Sequence, residues 1–226
     1  MNKKIAFLAV ILLSLLAFEQ THAQIITEKI KRKATVGVDV YNDIWFNKPL
    51  GMETRTINQG VNVYMQYNFY FNEKGSVAFG VGPGLGSHNL FSNTQIEDIK
   101  GDSINFVPII GDYKKSKVNV VYMYIPMDVK FRFNHNIKMS LGFNFGWKID
   151  SKQKFVKKNK NSPDSKVLIK EKNIDHLDKF TYGPTFRIGW NYINLFAYYQ
   201  INGIFEKGFG TDNLNYLSVG ISITPF

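Results

Sequence analysis

The strongest constraint in this sequence is an alternation of apolar and polar residues that recurs in eight separate segments. Between Val121 and Phe133, for example, Val, Met, Ile and Phe occupy every second position, and Tyr, Pro, Asp, Lys and Arg occupy the others. A period of two is that of a β-strand, whereas a helix repeats its apolar residues every three or four positions. The pattern predicts an all-β protein with strands over 36–41, 61–72, 77–85, 121–133, 138–148, 180–190, 194–205 and 217–224.

The first residues predict export. A basic stretch, MNKK, precedes an apolar run from Ile5 to Phe18, and Thr21 and Ala23 then supply small residues before a cleavage site. This is the pattern of a secretory signal peptide, and the run is too short to span a bilayer as a helix. We therefore predict a signal peptide over 1–23, an N-terminal periplasmic segment over 24–33 and a barrel domain over 34–226. The sequence contains no cysteine, which excludes a lipid-anchoring cysteine, disulfides and thiolate chemistry.

The connections between the segments alternate in length. Short turns are predicted at 72–76, 134–136 and 191–194, and they alternate with long links at 46–60, 89–117, 150–178 and 206–213. An up-and-down barrel in the outer membrane has short periplasmic turns and longer extracellular loops. The lengths therefore predict an eight-stranded antiparallel up-and-down transmembrane β-barrel, with its N-terminus in the periplasm and its long loops outside the cell.

Side-chain volume predicts which face of each strand points outward. The apolar face carries many aromatic rings, and an eight-stranded barrel has an interior that side chains just fill. We expect the apolar face to contact lipid, with Gly, Ser, Thr, Asn and a few charges inside. Aromatic residues near strand ends are predicted to form interfacial girdles: Trp45, Phe133, Trp147, Phe180, Trp190, Phe205 and Tyr216. A soluble lipocalin-like ligand binder would place the apolar face inward, and it stays an alternative.

Glycine occupies every second position from Gly80 to Gly86. A dinucleotide-binding loop requires G-x-G-x-x-G at a strand-to-helix turn, but the third glycine is missing here and no helix pattern follows. We predict instead that these glycines line the lumen, or let the barrel wall approach its contents closely. Gly82 and Gly84 in particular are expected to face a crowded interior.

Charged residues recur on the face predicted to be internal. They form a candidate lumen network with a structural role, made of Asp39, Asp43, Asp128, Lys130, Arg132, Lys138 and Arg187. The competing interpretation is a narrow charged pore, for which eight strands leave little room.

His88 is the candidate that an enzymatic interpretation would use, because some small outer-membrane barrels modify lipid A with a histidine, a hydroxyl and a carboxylate. The neighbouring Ser87 points to the opposite face of the strand and cannot serve His88 directly. We therefore predict a polar residue at the barrel rim, no catalytic, cofactor-binding or metal site, and no enzymatic activity. A lipid A-modifying enzyme stays the alternative.

The formal net charge of +10 also points to a surface role. Nucleic acid is not an expected partner of an exported chain, so outer-membrane lipids are the predicted ones. The basic stretch 151–172 has two open interpretations: a solvated loop, or contact with the anionic phosphates of lipopolysaccharide. The candidate contact residues are Lys152, Lys154, Lys157, Lys158 and Lys160.

Five stretches resemble the PorT-like outer-membrane β-barrel proteins of Gram-negative bacteria: YIPMDVKFRF (124–133), LGFNFGWKID (141–150), YGPTFRIGW (182–190), LFAYYQINGIFEKG (195–208) and LSVGISITPF (217–226). The resemblance implies an outer-membrane barrel with a structural, adhesive or secretion-accessory role, since some members are linked to type IX secretion. The terminal Phe226 is similar to the signal that the barrel-assembly machinery reads, which makes that machinery an expected partner. Phe226 is out of phase with Ile223, and Pro225 interrupts the strand before it.

Overall fold

The computed structural model describes residues 33–133, 137–158, 166–211 and 213–224. The predicted signal peptide, the turn at 134–136 and Phe226 lie outside these residues. The described chain forms twelve strands: β1 Ala34–Phe46, β2 Gln59–Tyr70, β3 Val77–Val81, β4 Gly84–Phe91, β5 Thr94–Ile96, β6 Phe106–Pro108, β7 Tyr113–Arg132, β8 Ile137–Lys158, β9 Lys166–Lys172, β10 Phe180–Trp190, β11 Ile193–Tyr199 and β12 Asn215–Ile223. None of the described residues belongs to a helix long and apolar enough to cross a membrane.

The strands close into an antiparallel ring. β2 pairs with both β3 and β4, and β7 pairs with the same two strands, so β3 and β4 are consecutive parts of one wall strand. The ring continues through β8, β10, β11 and β12. β12 pairs with β1 from Val38 opposite Ile223 to Phe46 opposite Asn215, which closes the ring. Eight wall strands result, and the predicted fold is confirmed.

The wall strand breaks between β3 and β4 at Gly82 and Pro83. Proline has no N–H to donate to a ladder, but its carbonyl accepts a hydrogen bond from the Met65 N–H at 2.9 Å. A β-carbon on Gly82 would collide with the Met65 carbonyl oxygen of β2. The β2 backbone therefore leaves no room for a side chain at Gly82, and the lumen-facing orientation of Gly82 stays a prediction.

The apolar face points outward, as volume predicted. On β8 the outward positions run from Ile137 to Ile149, which is roughly 30 Å along the barrel axis for tilted strands and matches a bilayer core. The predicted aromatic girdles are only partly present. Phe133, Phe180 and Trp190 are exposed and Trp147 is half-buried, but Trp45, Phe205 and Tyr216 are buried inside. The prediction is wrong for these three residues. Strand parity places Trp45 and Tyr216 on the inner face, and Phe205 is buried in a loop.

Two links predicted as loops contain regular strand. β7 begins at Tyr113, and β8 runs to Lys158 and pairs with β9 as a hairpin, so most of 151–172 is sheet. The 89–117 link likewise holds the end of β4 and the β5–β6 hairpin. The sequence pattern missed these extensions because their outward positions carry lysine and asparagine. Above the bilayer a strand needs only backbone pairing, not an apolar outer face.

Candidate functional site

A buried ion group fills the middle of the lumen. Arg187 on β10 lies between two carboxylates: its Nη2 is 2.9 Å from Asp39 Oδ2 on β1, and its Nη1 is 3.3 Å from Asp128 Oδ1 on β7. Thr185 and Gln66 donate to the same Asp128 carboxylate at 3.1 and 2.5 Å. All of these side chains are buried. A buried charge is costly unless it is paired and hydrogen-bonded, and this group meets both conditions.

A second buried group surrounds His88, whose side chain is 1% exposed. His88 Nδ1 lies 3.1 Å from Asp43 Oδ2, and Ser218 donates to Asp43 Oδ1 at 2.6 Å. His88 Nε2 lies 2.8 Å from the Tyr124 hydroxyl and 3.2 Å from that of Tyr41. Both ring nitrogens of His88 are therefore within hydrogen-bonding distance of a buried polar partner. The expected rim position of His88 is wrong, because its parity on β4 directs it into the lumen.

Two other predicted lumen charges, Lys130 and Lys138, line the same small cavity as Asp128 and Arg187. Lys130 is buried and donates to Asn68 Oδ1 at 2.8 Å and to Thr35 Oγ1 at 3.3 Å, toward the short-turn end. Lys138 is buried, and its Nζ lies 5.6 Å from the Tyr192 ring centroid. Arg132 is exposed at the end of β7, so its prediction as a lumen residue is wrong.

Tyrosine rings fill the space that the glycine row leaves. A β-carbon on Gly86 would collide with the Tyr124 ring and with Asn62, and one on Gly84 would lie 2.9 Å from Tyr64 Cβ. Gly84 and Gly86 are therefore lumen-facing, and at these positions the wall lies close to the side chains of Tyr64 and Tyr124. The rings fully buried beside them, which the sequence did not single out as lumen filling, are Tyr122, Tyr198, Tyr216 and Phe196.

Two small cavities lie inside the barrel among the described residues. A cavity of about 20 Å³ lies among Gln66, Asp128, Lys138 and Arg187, and a second of about 10 Å³ lies beside Asp39 and Tyr124. Each is close to the volume of one water probe. Small-molecule pockets are typically about 300–1,000 Å³.

The long loops fold over one end of the barrel and form what we call the cap, residues 47–58, 92–112, 173–179, 200–211 and 213–214. Its apolar side chains join the lumen rings in one continuous buried cluster. The cluster members from the cap are Met52, Ile96, Ile99, Ile104, Ile174, Leu177, Ile204, Phe205 and Leu214, with Phe106 packed against them. The hydrophobic core of this barrel therefore extends from the lumen into its loops.

Hydrogen bonds connect the cap loops to one another. Ile104 N–H donates to the Phe209 carbonyl at 2.8 Å, and Asp175 N–H donates to the Ile99 carbonyl at 2.9 Å. His176 stacks on Phe209 with ring centroids 3.9 Å apart, and its Nε2 donates to the Gly101 carbonyl at 3.1 Å. One histidine thus contacts two other loops.

Lysines cover the outward face of the sheet just beyond the lipid-facing belt. Lys117 on β7 pairs directly with Lys154 on β8, which pairs with Lys170 on β9. In the next rung Lys152 pairs with Lys172. We call the set Lys115, Lys117, Lys152, Lys154, Lys170 and Lys172 the lysine ladder. Among the predicted contact residues, Lys152 and Lys154 belong to it; Lys157 is exposed nearby, and Lys160 and the Lys158 side chain lie outside the described part of the chain.

Three cations of this region gather on one ring. Lys115 Nζ, Arg55 Cζ and Lys117 Nζ lie 4.9, 5.2 and 5.4 Å from the Phe91 ring centroid. Burial and the neighbouring Lys115, Lys152 and Lys154 lower the pKa of Lys117 to about 8. Lys115 and Lys117 are not among the predicted contact residues, although their parity, opposite to that of the inward Val118 and Val120, places them on the outer face.

A closed antiparallel ring with an apolar belt outside and a polar, filled interior defines an integral outer-membrane β-barrel protein. The chain belongs to the family described as "outer membrane protein beta-barrel domain", whose model matches residues 18–209. The protein is therefore located in the outer membrane.

Solved structures with similar chains are remote. One is the attachment invasion locus protein Ail of Yersinia pestis, solved with the heparin analogue sucrose octasulfate; it shares 12% identity at a TM-score of 0.38, covering 84% of this chain and 97% of that one. A mutant porin of Rh. blastica shares 7% identity at a TM-score of 0.23, with 84% and 99% covered. No curated protein matches this sequence significantly.

Proposed function

We propose that this protein is a non-enzymatic, non-conducting outer-membrane barrel that presents its cap as an ordered extracellular surface, in a structural, adhesive or secretion-accessory role. The observation that carries the proposal is the continuous buried cluster from Tyr122 and Tyr198 in the lumen to Ile104 and Leu214 in the cap. Packed interiors have the density of organic crystals and leave no continuous water path. The secretion-accessory role follows from the resemblance to PorT-like proteins.

The buried position of His88 supports a non-enzymatic role. Its imidazole is hydrogen-bonded on both nitrogens and lies beneath the cap, so a lipid A phosphate or acyl chain cannot reach it without opening the barrel. The two small cavities likewise argue against a lipocalin-like carrier, which needs room for its ligand. The charges at Arg187 pair with each other rather than lining an open channel.

Conductance across a planar bilayer tests the proposal. The purified barrel is added to one side at rising concentration, with a general porin as the positive control. We expect no discrete conductance steps. Stable conductance steps from the wild-type barrel would mean that the lumen conducts, and the proposal would be wrong.

A photo-crosslinking residue at Ser103 then separates the three roles. Ser103 is exposed on the cap. Capture of a secretion component supports the accessory role, capture of a host or surface ligand supports adhesion, and capture of neither supports a structural role.

A further inference from the structure

The lysine ladder places like charges directly opposite each other on neighbouring strands. Lys117, Lys154 and Lys170 share one rung across three strands. Like charges directly opposite in a sheet destabilise it. Three lysines in one rung therefore repel one another, and a bound anion would offset this repulsion.

Acidic neighbours do not offset this charge within the described chain. Lys152 lies 3.5 Å from Asp150, and no other ion pair involves the ladder or Arg55 among residues 33–133, 137–158, 166–211 and 213–224. Glu171 contacts Gln153, whose side chain faces the buried side of the sheet. The outward face thus presents six lysines and Arg55 beside one carboxylate.

The position of the lysine ladder relative to the bilayer indicates which ligand it binds. Ile149, the last exposed apolar residue of the β8 belt, is 50% exposed, and Lys152 follows three residues later, roughly 10 Å along the strand. The polar headgroup layer lies directly beyond the hydrocarbon core. The ladder also faces sideways from the wall, as Ile149 and Trp147 do, so it meets the lipid headgroups rather than the medium above the cap.

We propose that the lysine ladder, with Arg55, is a binding site for the phosphate groups of a phosphorylated glycolipid in the outer leaflet. Its width suits more than one phosphate, because lysines on three strands about 5 Å apart span roughly 10 Å. Lys117 is already oriented, donating to Asn89 Oδ1 at 2.6 Å. The site lies on the wall and does not depend on the proposed role of the cap.

Binding of a bisphosphorylated lipid A to the purified full chain in detergent tests this site. The test variant is Lys117→Gln/Lys152→Gln/Lys154→Gln. The matched control, Lys48→Gln/Lys74→Gln/Lys207→Gln, removes the same charge from exposed positions outside the ladder. Each lysine near a membrane surface is worth about fivefold in binding, so we expect about 100-fold weaker binding by the test variant and an unchanged control.

Three further measurements test whether binding depends on the phosphate groups and on the lysine charges. Dephosphorylated lipid A should bind wild type as weakly as the test variant binds the intact lipid, and a Lys→Arg triple variant should keep its affinity. If the glutamine triple variant fails the heat-modifiability test for folding, Lys152→Gln alone should lose about fivefold. Equal binding of both lipids, unchanged binding by the test variant, or stronger binding of heparin or inorganic pyrophosphate than of lipid A would each overturn the proposal.

Discussion

Arg187 Nη2 lies 2.9 Å from Asp39 Oδ2 across 148 positions of sequence, inside a barrel whose wall separates the two residues by β11 and β12. The same guanidinium also contacts Asp128 and lies within 4.9 Å of the Tyr64 ring centroid. One side chain thereby connects β10 with β1, β7 and β2. The network explains how full charges are accommodated in a filled interior.

Replacing Arg187 should destabilise the barrel strongly. Arg187→Leu leaves Asp39 and Asp128 buried and unpaired, and breaking a buried pair typically costs about 3–5 kcal/mol. Urea unfolding in lipid vesicles measures the change. The triple variant Arg187→Leu/Asp39→Asn/Asp128→Asn should recover much of the loss, and Lys74→Gln should match wild type. A single variant as stable as wild type would show that the network contributes nothing.

Large side chains at adjacent positions of β4 should behave differently. Gly86→Phe overlaps the Tyr124 ring, and overpacking costs about 1–3 kcal/mol or more. Leu85→Phe lies on the lipid-facing side, where Leu85 is 53% exposed, and should be tolerated. The folded fraction after refolding, read by gel mobility before and after boiling, measures both. Equal losses would contradict the assignment of the two faces.

His176 should hold the cap closed without stabilising the barrel. His176→Ala removes the stacking on Phe209 and the hydrogen bond to Gly101. An aromatic pair is worth about 0.5–1.5 kcal/mol, so trypsin should cleave the cap about two- to tenfold faster. Asn105→Ala, an exposed change in the same region, is the control. Heat modifiability should stay unchanged in both; a lower unfolding temperature in His176→Ala alone would place the residue in the barrel core instead.

Stability should rise with pH through the titration of Lys117. Its folded pKa of about 8 lies below the unfolded value of 10.5 because burial and nearby lysines disfavour its charge. Between these values the unfolded chain binds more protons, so the free energy of unfolding increases as pH rises from about 8 to 10.5. Burial, with Lys154 and Arg55 nearby, also lowers the pKa of Lys115 and adds in the same direction.

Unfolding midpoints at pH 7.5 and pH 10 measure this effect. Lys117→Gln should show a smaller pH dependence than wild type, and Lys74→Gln should show the wild-type dependence. An identical dependence in Lys117→Gln would mean that other groups cause it.

Membrane orientation is testable with single cysteines, because the native chain has none. Ser103→Cys lies on the cap, and Lys74→Cys lies in the short turn between β2 and β3. With the N-terminus in the periplasm, an impermeant thiol reagent should label position 103 on intact cells and position 74 only after the outer membrane is opened. The reverse labelling would place the cap and the lysine ladder in the periplasm.

The sequence by itself determined the fold class, the outward face and the membrane location. These properties follow from period-two patterning, which is local: each residue's parity along its strand assigns it to lipid or lumen whatever its partners are. The same parity places Asp39, Asp128 and Arg187 inside, but it would also place Lys152 and Lys154 inside, and only a register shift beside Ile149 turns them outward. Connection lengths added the up-and-down order of the strands.

Only the tertiary structure decided which of these residues meet. Arg187 pairs with Asp39 and Asp128, whereas Lys130 donates to Asn68 and Thr35 and Arg132 is exposed at the end of β7, because ring closure and strand stagger set the height of each side chain. His88 and Tyr124 meet above Gly86 for the same reason. The register of β7, β8 and β9 brings Lys117, Lys154 and Lys170 into one rung, and no local pattern encodes it, since cross-strand pairing depends on residues far apart in the chain.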